Sequence, residues 1–403
     1  TIYGELIVTD EGSGVKPFYF KMTGTGALSD RTYFAKEITV SGTHYPKYCV
    51  IHDKHLVVAG AATALNTIYY SGTSDIDDFT SSGSGSIVLD DQVVGLKSFR
   101  NELFIFCKNS IYKLQNINNS STIAIVPVTK NVGCVDGKTI QEFAGDLIFL
   151  APDGFRTIAG TARIGDVELG TVSKAIQPII NDIISSDSTY EFSSVVLRDK
   201  SQYRMYYSTS GASAAASKGI IGTLRPEGFE WAETSGIQAP AITSGFNYAG
   251  KEKVYHGDRD GYIYNHDTGN SFNPAGTETN IVAQYQSPDF DYGDFGTLKT
   301  LDYLKISISP EGSIQPTLRI RYDYDSTDVP QPLDATLTEV PTPSLFGTAV
   351  FGTNILGAQS QPLVRQALTG SGYSNFFKIF SDDTNAPYTL NGLYINYRPS
   401  GRQ

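Results

Sequence analysis

KTIQEFAGDLIFLAPDGFRTIAG, residues 138–160, holds a complete strand, turn, strand, turn, strand unit. Its apolar run LIFL, residues 147–150, predicts a strand that is buried on both faces. Residues 144–146 (Ala-Gly-Asp) and 152–154 (Pro-Asp-Gly) flank the run, and both triplets favour turns because Gly supplies positive φ while Pro and Asp suit the preceding positions. The stretch therefore predicts an antiparallel meander that cannot bury its own faces and needs similar neighbours.

The same pattern recurs along the first two thirds of the chain. Turn residues, an apolar run and a second turn recur at spacings of about 50, 47, 44, 56 and 51 residues. The reference positions are Leu6, Leu56, Leu103, Leu147, Tyr203 and Val254. Repeats of this length, built from short antiparallel strands, are typical of propeller blades. We therefore expect an all-β chain with a β-propeller of about six blades over residues 1–270; a pair of stacked sandwiches explains the strands equally well, but not their even spacing.

The remaining residues, 271–403, predict a second β domain. A polar stretch rich in Gly, Asn and Thr precedes it, and strand patterns follow from residue 281 to residue 397 in an order that fits a β-sandwich. A Pro- and Gly-rich excursion at 329–357 is too long for an ordinary connection. We interpret it as a functional arm or subunit contact, with Phe346 and Phe351 as candidate contact residues.

One segment of the first domain has the periodicity of a helix. In residues 173–186, SKAIQPIINDIISS, isoleucines recur at i, i+3, i+4, i+7 and i+8, which predicts one short amphipathic helix. Ser173 is a candidate N-cap, but Pro178 fits only the first turn, so the helix is expected to start near Gln177. The apolar face either packs on its own domain or docks a neighbouring subunit; Ile176, Ile180 and Ile183 are the candidate subunit contacts.

Composition narrows the classes of partner. The chain has 403 residues, 40 % of them apolar and 18 % charged, with a net charge of -11 and a pI near 5.0. This balance disfavours adhesion to nucleic acid or to anionic membranes, although an acidic surface would let DNA slide past without binding. No apolar run of about 18 residues is present, so no membrane insertion is expected. Three cysteines without a CxxC spacing predict buried free thiols, as in a protein folded in a reducing cytosol.

The sequence contains few residues suited to catalysis or metal binding. His52 and His55 form an H-x-x-H pair without a further cluster, and we interpret them as surface turn residues. The acidic segment 258–261 is interpreted as a turn because the spacing and the terminal Glu of a calcium loop are absent. The acidic segment 289–294 could bind a cation through clustered oxygens, but we interpret it as a solvated turn. Propeller glycosidases need two convergent carboxylates, and neighbouring acids such as Asp90-Asp91 do not show convergence. We assign no catalytic, metal or cofactor residue and expect that the chain is not an enzyme.

Two pairs of segments resemble a known family. Residues 93–115 (VVGLKSFRNELFIFCKNSIYKLQ) and 131–158 (NVGCVDGKTIQEFAGDLIFLAPDGFRTI) are similar to the tail nozzle, or tail hub and stabilisation, proteins of short-tailed bacteriophages. Towards the C-terminus, residues 290–306 (FDYGDFGTLKTLDYLKI) precede a last strand that ends in the YRPSGR of residues 397–402, which is also similar to that family. The resemblance extends over about two thirds of the chain. It rests on the order of the segments and on their general residue pattern, and it includes no catalytic motif.

The resemblance implies a structural virion protein that is assembled in the host cytoplasm. It implies a homo-oligomeric ring at the distal tail, with six-fold symmetry favoured, that contacts tail adaptor or portal-proximal subunits and tail fibre or tip proteins. Double-stranded DNA would pass through during ejection without tight binding, which predicts acidic or neutral loops along the channel. Two alternatives remain open: a host-surface adhesin that binds glycan through exposed Tyr and Phe on propeller loops, and a glycoside-processing propeller enzyme.

Overall fold

The computed structural model describes residues 6–9, 14–23, 32–40, 42, 44–159, 171–213, 216–272, 276–312, 314–337 and 363–402. These residues are almost entirely β, arranged in many small antiparallel sheets, so the predicted all-β class is confirmed. The chain divides into two compact units, unit 1 (Thr1–Asp267) and unit 2 (Thr268–Gln403). This division lies close to the boundary expected after residue 270.

The described residues of unit 1 form six sheets, and each is a meander of strands that are consecutive in the chain. Sheet one contains β1 (Leu6–Val8), β2 (Phe18–Thr23) and β3 (Thr32–Glu37), and sheet two contains β4 (Tyr48–His52), β5 (His55–Ala61), β6 (Ala64–Tyr70) and β7 (Gly85–Val88). Sheet three contains β8 (Val93–Phe99), β9 (Glu102–Cys107), β10 (Ile111–Gln115) and β11 (Ala124–Thr129), and sheet four contains β12 (Gln141–Phe143), β13 (Asp146–Ala151) and β14 (Gly154–Thr157). Sheet five contains β15 (Tyr190–Leu197), β16 (Gln202–Thr209), β17 (Lys218–Arg225) and β18 (Gly228–Ser235), and sheet six contains β19 (Ala241–Phe246), β20 (Glu252–Gly257) and β21 (Ile263–Asn265).

The recurring reference positions fall on equivalent strands in five of these sheets. Leu56, Leu103, Leu147, Tyr203 and Val254 each lie in the second strand of their sheet, from sheet two to sheet six. Leu6 instead lies in the first strand of sheet one. The even spacing therefore reports a repeated hairpin in sheets two to six and does not extend to sheet one.

Strand β13 is buried on both faces, as predicted from its apolar run. Leu147 and Phe149 point to a cluster shared with sheet three, whereas Ile148 and Leu150 point to a cluster shared with sheet five. This alternation follows from the two-residue period of a strand. All four side chains are essentially inaccessible to solvent. Sheet four is therefore the middle layer of three.

Tight turns join the first two strands of sheets two, three and four. The residues at the turns are Asp53-Lys54, Arg100-Asn101 and Ala144-Gly145, all with φ between 49° and 77°. Two consecutive residues of positive φ match the twist of a two-residue hairpin. The predicted turn at residues 144–146 is confirmed, and Ala144 adopts a conformation that Asn or Gly usually takes in such turns.

Buried clusters lie between consecutive sheets of unit 1. Each cluster combines side chains from one sheet with side chains from the next. Representative pairs, from the first interface to the fifth, are Ile7 with Leu56, Val57 with Leu103, Phe106 with Phe149, Leu150 with Tyr203, and Val195 with Val254. First strands also contact one another, including β4 with β8, β12 with β15, and β15 with β19. Unit 1 is thus a succession of meanders in which each sheet packs on the next.

The predicted helix is present as α1 (Gln177–Ser185), preceded by a 3₁₀ turn at Lys174–Ile176. It starts at Gln177 with Pro178 in its first turn, as expected. Ser173 does not cap it, because the Ser173 hydroxyl accepts a hydrogen bond from the backbone N–H of Phe155 at 3.0 Å. This side chain holds the helix segment against sheet four instead.

In unit 2, the part of the chain that the structure describes forms two antiparallel sheets. The first sheet has the strand order β22 (Ile281–Gln286), β28 (Asn375–Asp383), β24 (Thr317–Tyr322) and β25 (Ala335–Thr336). In the second sheet, the central strand is β23 (Thr297–Pro310). It pairs along one edge with β26 (Val364–Ala367) and β27 (Ser371–Gly372), and along its opposite edge with β29 (Tyr388–Arg402). Their facing sides share one core, with Leu304 and Ile306 opposite Ile320 and Ile379. Unit 2 is therefore a two-layer β structure.

Candidate functional site

The apolar face of helix α1 is not available to another subunit. Ile180 and Ile183 are fully buried in a cluster with sheets four and five, and Ile176 packs against the same cluster. The prediction that Ile180 and Ile183 are subunit contacts is therefore wrong, because their own domain covers the isoleucine stripe. Phe346 and Phe351 lie outside the described residues.

An open groove is found instead along one side of unit 2, between strands β22 and β29. It has a volume of about 720 Å³, and the described residues that line it are uncharged. The lining residues are Tyr285, Phe290, Tyr292, Phe377, Leu390, Asn391, Gly392, Leu393, Tyr394, Ile395 and Tyr397. Its size falls within the range of binding clefts. We call it the β22/β29 groove.

Aromatic rings form a continuous row across this groove. The ring of Phe377 lies 6.1 Å from Tyr285 and 6.0 Å from Phe290, measured between centroids, and the second pair is stacked with an interplanar angle of 15°. Tyr292 continues the row, 6.3 Å from Phe290 and 4.3 Å from Tyr397. The row thus joins the sheet of β28 to strand β29 and gives the groove a rigid apolar wall.

The hydroxyl of Tyr292 is held in place. It donates a hydrogen bond of 2.8 Å to Asn375 Oδ1. Burial raises the pKa of Tyr292 to about 12, although the bond to Asn375 opposes the shift. The hydroxyl therefore stays neutral and cannot act as a base near neutral pH, so it orients the ring within the wall.

Strand β29 offers main-chain hydrogen-bonding groups along the groove. Among the described residues it pairs with β23 alone, from Tyr388 to Arg402, and β22 likewise pairs with β28 alone. Within the described residues each strand therefore has one edge that pairs with no other strand, which we call its free edge, and the groove lies between these two edges. A long free edge that also carries exposed aromatic side chains, here Tyr394 at 55 % exposure, is a surface prepared for another chain.

The groove unites two segments that are distant in the sequence. Phe290 and Tyr292 belong to the segment 290–306, and Tyr397 opens the segment 397–402; the resemblance described above rests on both. Sequence reasoning did not identify the groove, because its walls are brought together by long-range strand pairing and by the packing of the two sheets. The one local signal was the cluster of aromatic residues in these two segments.

Away from the groove, a group of ionisable residues in unit 1 joins sheets five and six. The guanidinium of Arg204, which is almost fully buried, donates hydrogen bonds of 3.1 and 2.9 Å to the two carboxylate oxygens of Asp267, and Lys200 Nζ lies 2.7 Å from the same carboxylate. Burial alone would raise the pKa of Asp267, but the bonds from Arg204 and Lys200 outweigh it and hold this pKa at about 2. The carboxylate is thus an ion-pair partner and not a proton acceptor.

Two histidines lie beside this ion pair. A hydrogen bond of 2.5 Å joins His266 Nε2 and His256 Nδ1, and Tyr206 contacts the His266 ring edge-on. Burial, reinforced by His256 and Arg204, lowers the pKa of His266 to about 4, and burial also lowers the pKa of His256. Both rings are therefore neutral at pH 7, and they link β20 to the chain that follows β21.

The histidine pair predicts acid sensitivity of unit 1. Below about pH 6.5 the unfolded chain binds a proton at His266, whereas the folded chain does so only below about pH 4, so stability falls as the pH falls through this window. Allowing for partial exposure, we expect a loss of roughly 2 kcal/mol between pH 7 and pH 4.5. Urea unfolding at both pH values measures it. His266→Gln should reduce the loss, and an unchanged pH dependence in this variant would contradict the assignment.

The two histidines of the H-x-x-H motif have structural roles. His52 and His55 are buried and not surface turn residues, which corrects that interpretation: His52 Nδ1 bonds to Ser98 Oγ at 2.9 Å, and His55 bonds to the carbonyl of Ser71 and to Asn118. The exposed part of their hairpin is the turn between them. Burial was hidden from the sequence because the neighbouring sheet and loops that cover both rings are remote in the chain.

The carboxylates considered for catalysis or cation binding mostly cap turns. Asp258 Oδ1 accepts the backbone N–H groups of Asp260 and Tyr262, and Asp91 accepts those of Gln92 and Asn109. In the part of the chain that the structure describes, no group of three or more His, Cys, Asp or Glu side chains is placed to share a metal ion. Within the same residues, no helix has the length and apolarity to cross a membrane.

Comparison with known proteins adds little to this picture. No protein-family model and no curated protein matches the sequence. Among solved structures, the chain is similar to the AfRom2 CNH domain, with 10 % identity, 64 % of this chain and 92 % of that chain covered, and a TM-score of 0.31. It is also similar to an exo-β-1,3-galactanase from Phanerochaete chrysosporium with galactose, with 8 % identity, 97 % and 81 % covered, and a TM-score of 0.24. Likenesses of this size carry no functional argument.

Proposed function

We propose that this chain is a structural subunit of a ring at the distal tail of a short-tailed bacteriophage, a nozzle that holds back the packaged DNA and then conducts it. The observation that carries the proposal is the β22/β29 groove, an uncharged aromatic cleft between two free strand edges. Such a surface suits assembly with another chain better than chemistry on a substrate. Three of its lining residues, Phe290, Tyr292 and Tyr397, belong to the segments 290–306 and 397–402, which resemble tail nozzle proteins.

We also propose that the six sheets of unit 1 are the blades of a propeller. Consecutive meanders that pack through their first strands are what a propeller requires. The terminal sheets support the proposal, because large exposed apolar side chains are concentrated there: Leu6, Phe20 and Phe34 in sheet one, and Phe246, Tyr255 and Ile263 in sheet six. Packing of sheet six on sheet one would cover both sets and close the ring of blades.

The partners follow from this role. The subunit would assemble with copies of itself, with tail adaptor or portal-proximal subunits, and with tail fibre or tip proteins, in a virion built in the host cytoplasm. DNA would pass through the ring without tight binding, which a net charge of -11 favours, because each phosphate neutralised by Lys or Arg adds affinity and friction. The role requires neither a cofactor nor a catalytic residue.

The assembled state of the purified full-length chain tests the proposal. We expect native mass spectrometry to detect a closed oligomer, with six copies favoured, and cryo-electron microscopy to show a central channel bordered by acidic or neutral loops. A heterologous contact that closes on itself produces such a ring. A channel lined by Arg and Lys would contradict the proposed conduction of DNA. A monomer at every concentration that is retained on glycan would instead favour an adhesin, with Tyr248 and Phe246 of sheet six as its exposed aromatics.

A further inference from the structure

The two sides of the unit 2 sandwich differ: one carries the groove, and the other carries the ends of a long connection. The β22/β29 groove occupies one side, where β22 ends one sheet and β29 ends the other. Strands β25 and β26 end the same two sheets on the opposite side. The chain between β25 and β26, residues 338–362, lies outside the described residues, so it leaves and re-enters unit 2 on the side opposite the groove.

The sequence of this connection matches the groove in chemistry. From Val340 to Pro362 it contains no Asp, Glu, Lys, Arg or His, and residues 344–356, SLFGTAVFGTNIL, contain no proline. Two FGT triplets, which begin at Phe346 and Phe351, supply aromatic and β-prone residues. An uncharged, proline-free segment of this kind can add a strand to an open sheet edge, and the groove offers uncharged aromatic walls beside two such edges.

The length of the connection permits contact with a neighbour. Fully extended, residues 338–362 span at most roughly 80 Å. Because both ends are anchored in unit 2, the reach outward is about half of this, roughly 40 Å, which is comparable to the diameter of a domain of this size. To enter its own groove, the segment would have to wrap around the unit across the outside of a sheet, whereas the groove of an adjacent copy can face the β25/β26 side directly.

We propose that residues 344–356 of one copy occupy the β22/β29 groove of the next copy and add a strand to the free edge of β29. The inference rests on the self-assembly proposed above and names its contact. Each unit 2 then presents a segment on one side and a groove on the other, a heterologous contact that repeats from copy to copy and closes into a ring. Because the separation of Phe346 and Phe351 is odd, an extended strand turns them to opposite faces, so one of the two enters the groove.

Replacement of the segment tests the contact separately from the ring. In the full-length chain, residues 344–356 are exchanged for a Gly/Ser sequence of equal length, and self-association is measured by sedimentation and native mass spectrometry. We expect association at least tenfold weaker, with the secondary structure of the folded chain retained by circular dichroism. Tyr394→Glu in the groove should weaken it likewise, and Tyr248→Glu, on unit 1, serves as the matched control. A ring that persists in the Gly/Ser variant overturns the inference and leaves the ring proposal standing; a wild-type chain that never associates overturns both.

Mixed cross-linking identifies which copy supplies the segment. Chains carrying Phe346→Cys or Phe351→Cys are mixed with chains carrying Tyr394→Cys, oxidised, and compared with unsubstituted chains on a denaturing gel. We expect a disulfide-linked dimer in the mixture for one of the two phenylalanine positions. If the linkage forms only when both cysteines are in the same chain, without a dimer, the segment occupies its own groove and the inference is wrong.

Discussion

Replacing Phe149 with alanine is expected to lower the free energy of unfolding of unit 1 by about 3–5 kcal/mol. Phe149 is fully buried in β13 and meets Phe106 of sheet three with ring centroids 5.2 Å apart. Sheets three and four both surround the site, so a cavity left there cannot collapse without moving a backbone. Denaturant unfolding, followed by fluorescence and circular dichroism, measures the loss.

Two further variants serve as controls for the Phe149→Ala measurement. Phe149→Leu retains much of the buried volume and should cost clearly less than the alanine variant. Val88→Ala removes an exposed side chain of sheet two and should change stability by no more than about 0.5 kcal/mol. A loss below about 1 kcal/mol for Phe149→Ala would mean that sheets three and four do not pack as described.

Gly133→Ala is expected to destabilise unit 1 by about 3 kcal/mol, although it adds one methyl group. An alanine Cβ at this position would lie 2.1 Å from the carbonyl oxygen of Lys108 and 2.5 Å from the backbone nitrogen of Asn109. These are backbone atoms at the end of β9, and the adjacent Cys134 N–H donates to the Cys107 carbonyl at 2.9 Å. Relief of the clash therefore requires that the connection between sheets three and four separates from β9.

Gly245 provides the matched control for this substitution. It lies in β19 with no atom within 4 Å of an added Cβ, and its φ is not in the left-handed region. Gly245→Ala should therefore be neutral or stabilise the fold by up to about 1 kcal/mol through the unfolded state. Equal effects of the two substitutions on the urea midpoint would show that close approach at Gly133 is not what excludes a side chain.

Local patterns in the sequence were sufficient to predict several secondary-structure elements of unit 1. The run at 147–150 predicted a doubly buried strand, the Ala-Gly pair at 144–145 predicted the turn before it, and Pro178 placed the start of α1 at Gln177. The physical reason is that side-chain alternation, positive φ and proline geometry act within a few residues. The spacing of about 50 residues likewise reported a repeated hairpin from sheet two onwards.

Only the tertiary structure decided which surfaces remain free. The sequence shows that the isoleucine stripe of α1 needs a cover, but not that sheets four and five supply it, and it does not show that remote chain segments bury His52 and His55. The β22/β29 groove depends on the pairing of β23 with β29, which brings Tyr292 against Tyr397. Periodicity determines that a face is apolar, whereas long-range packing determines what covers it, and the face left uncovered is where we place the contact between subunits.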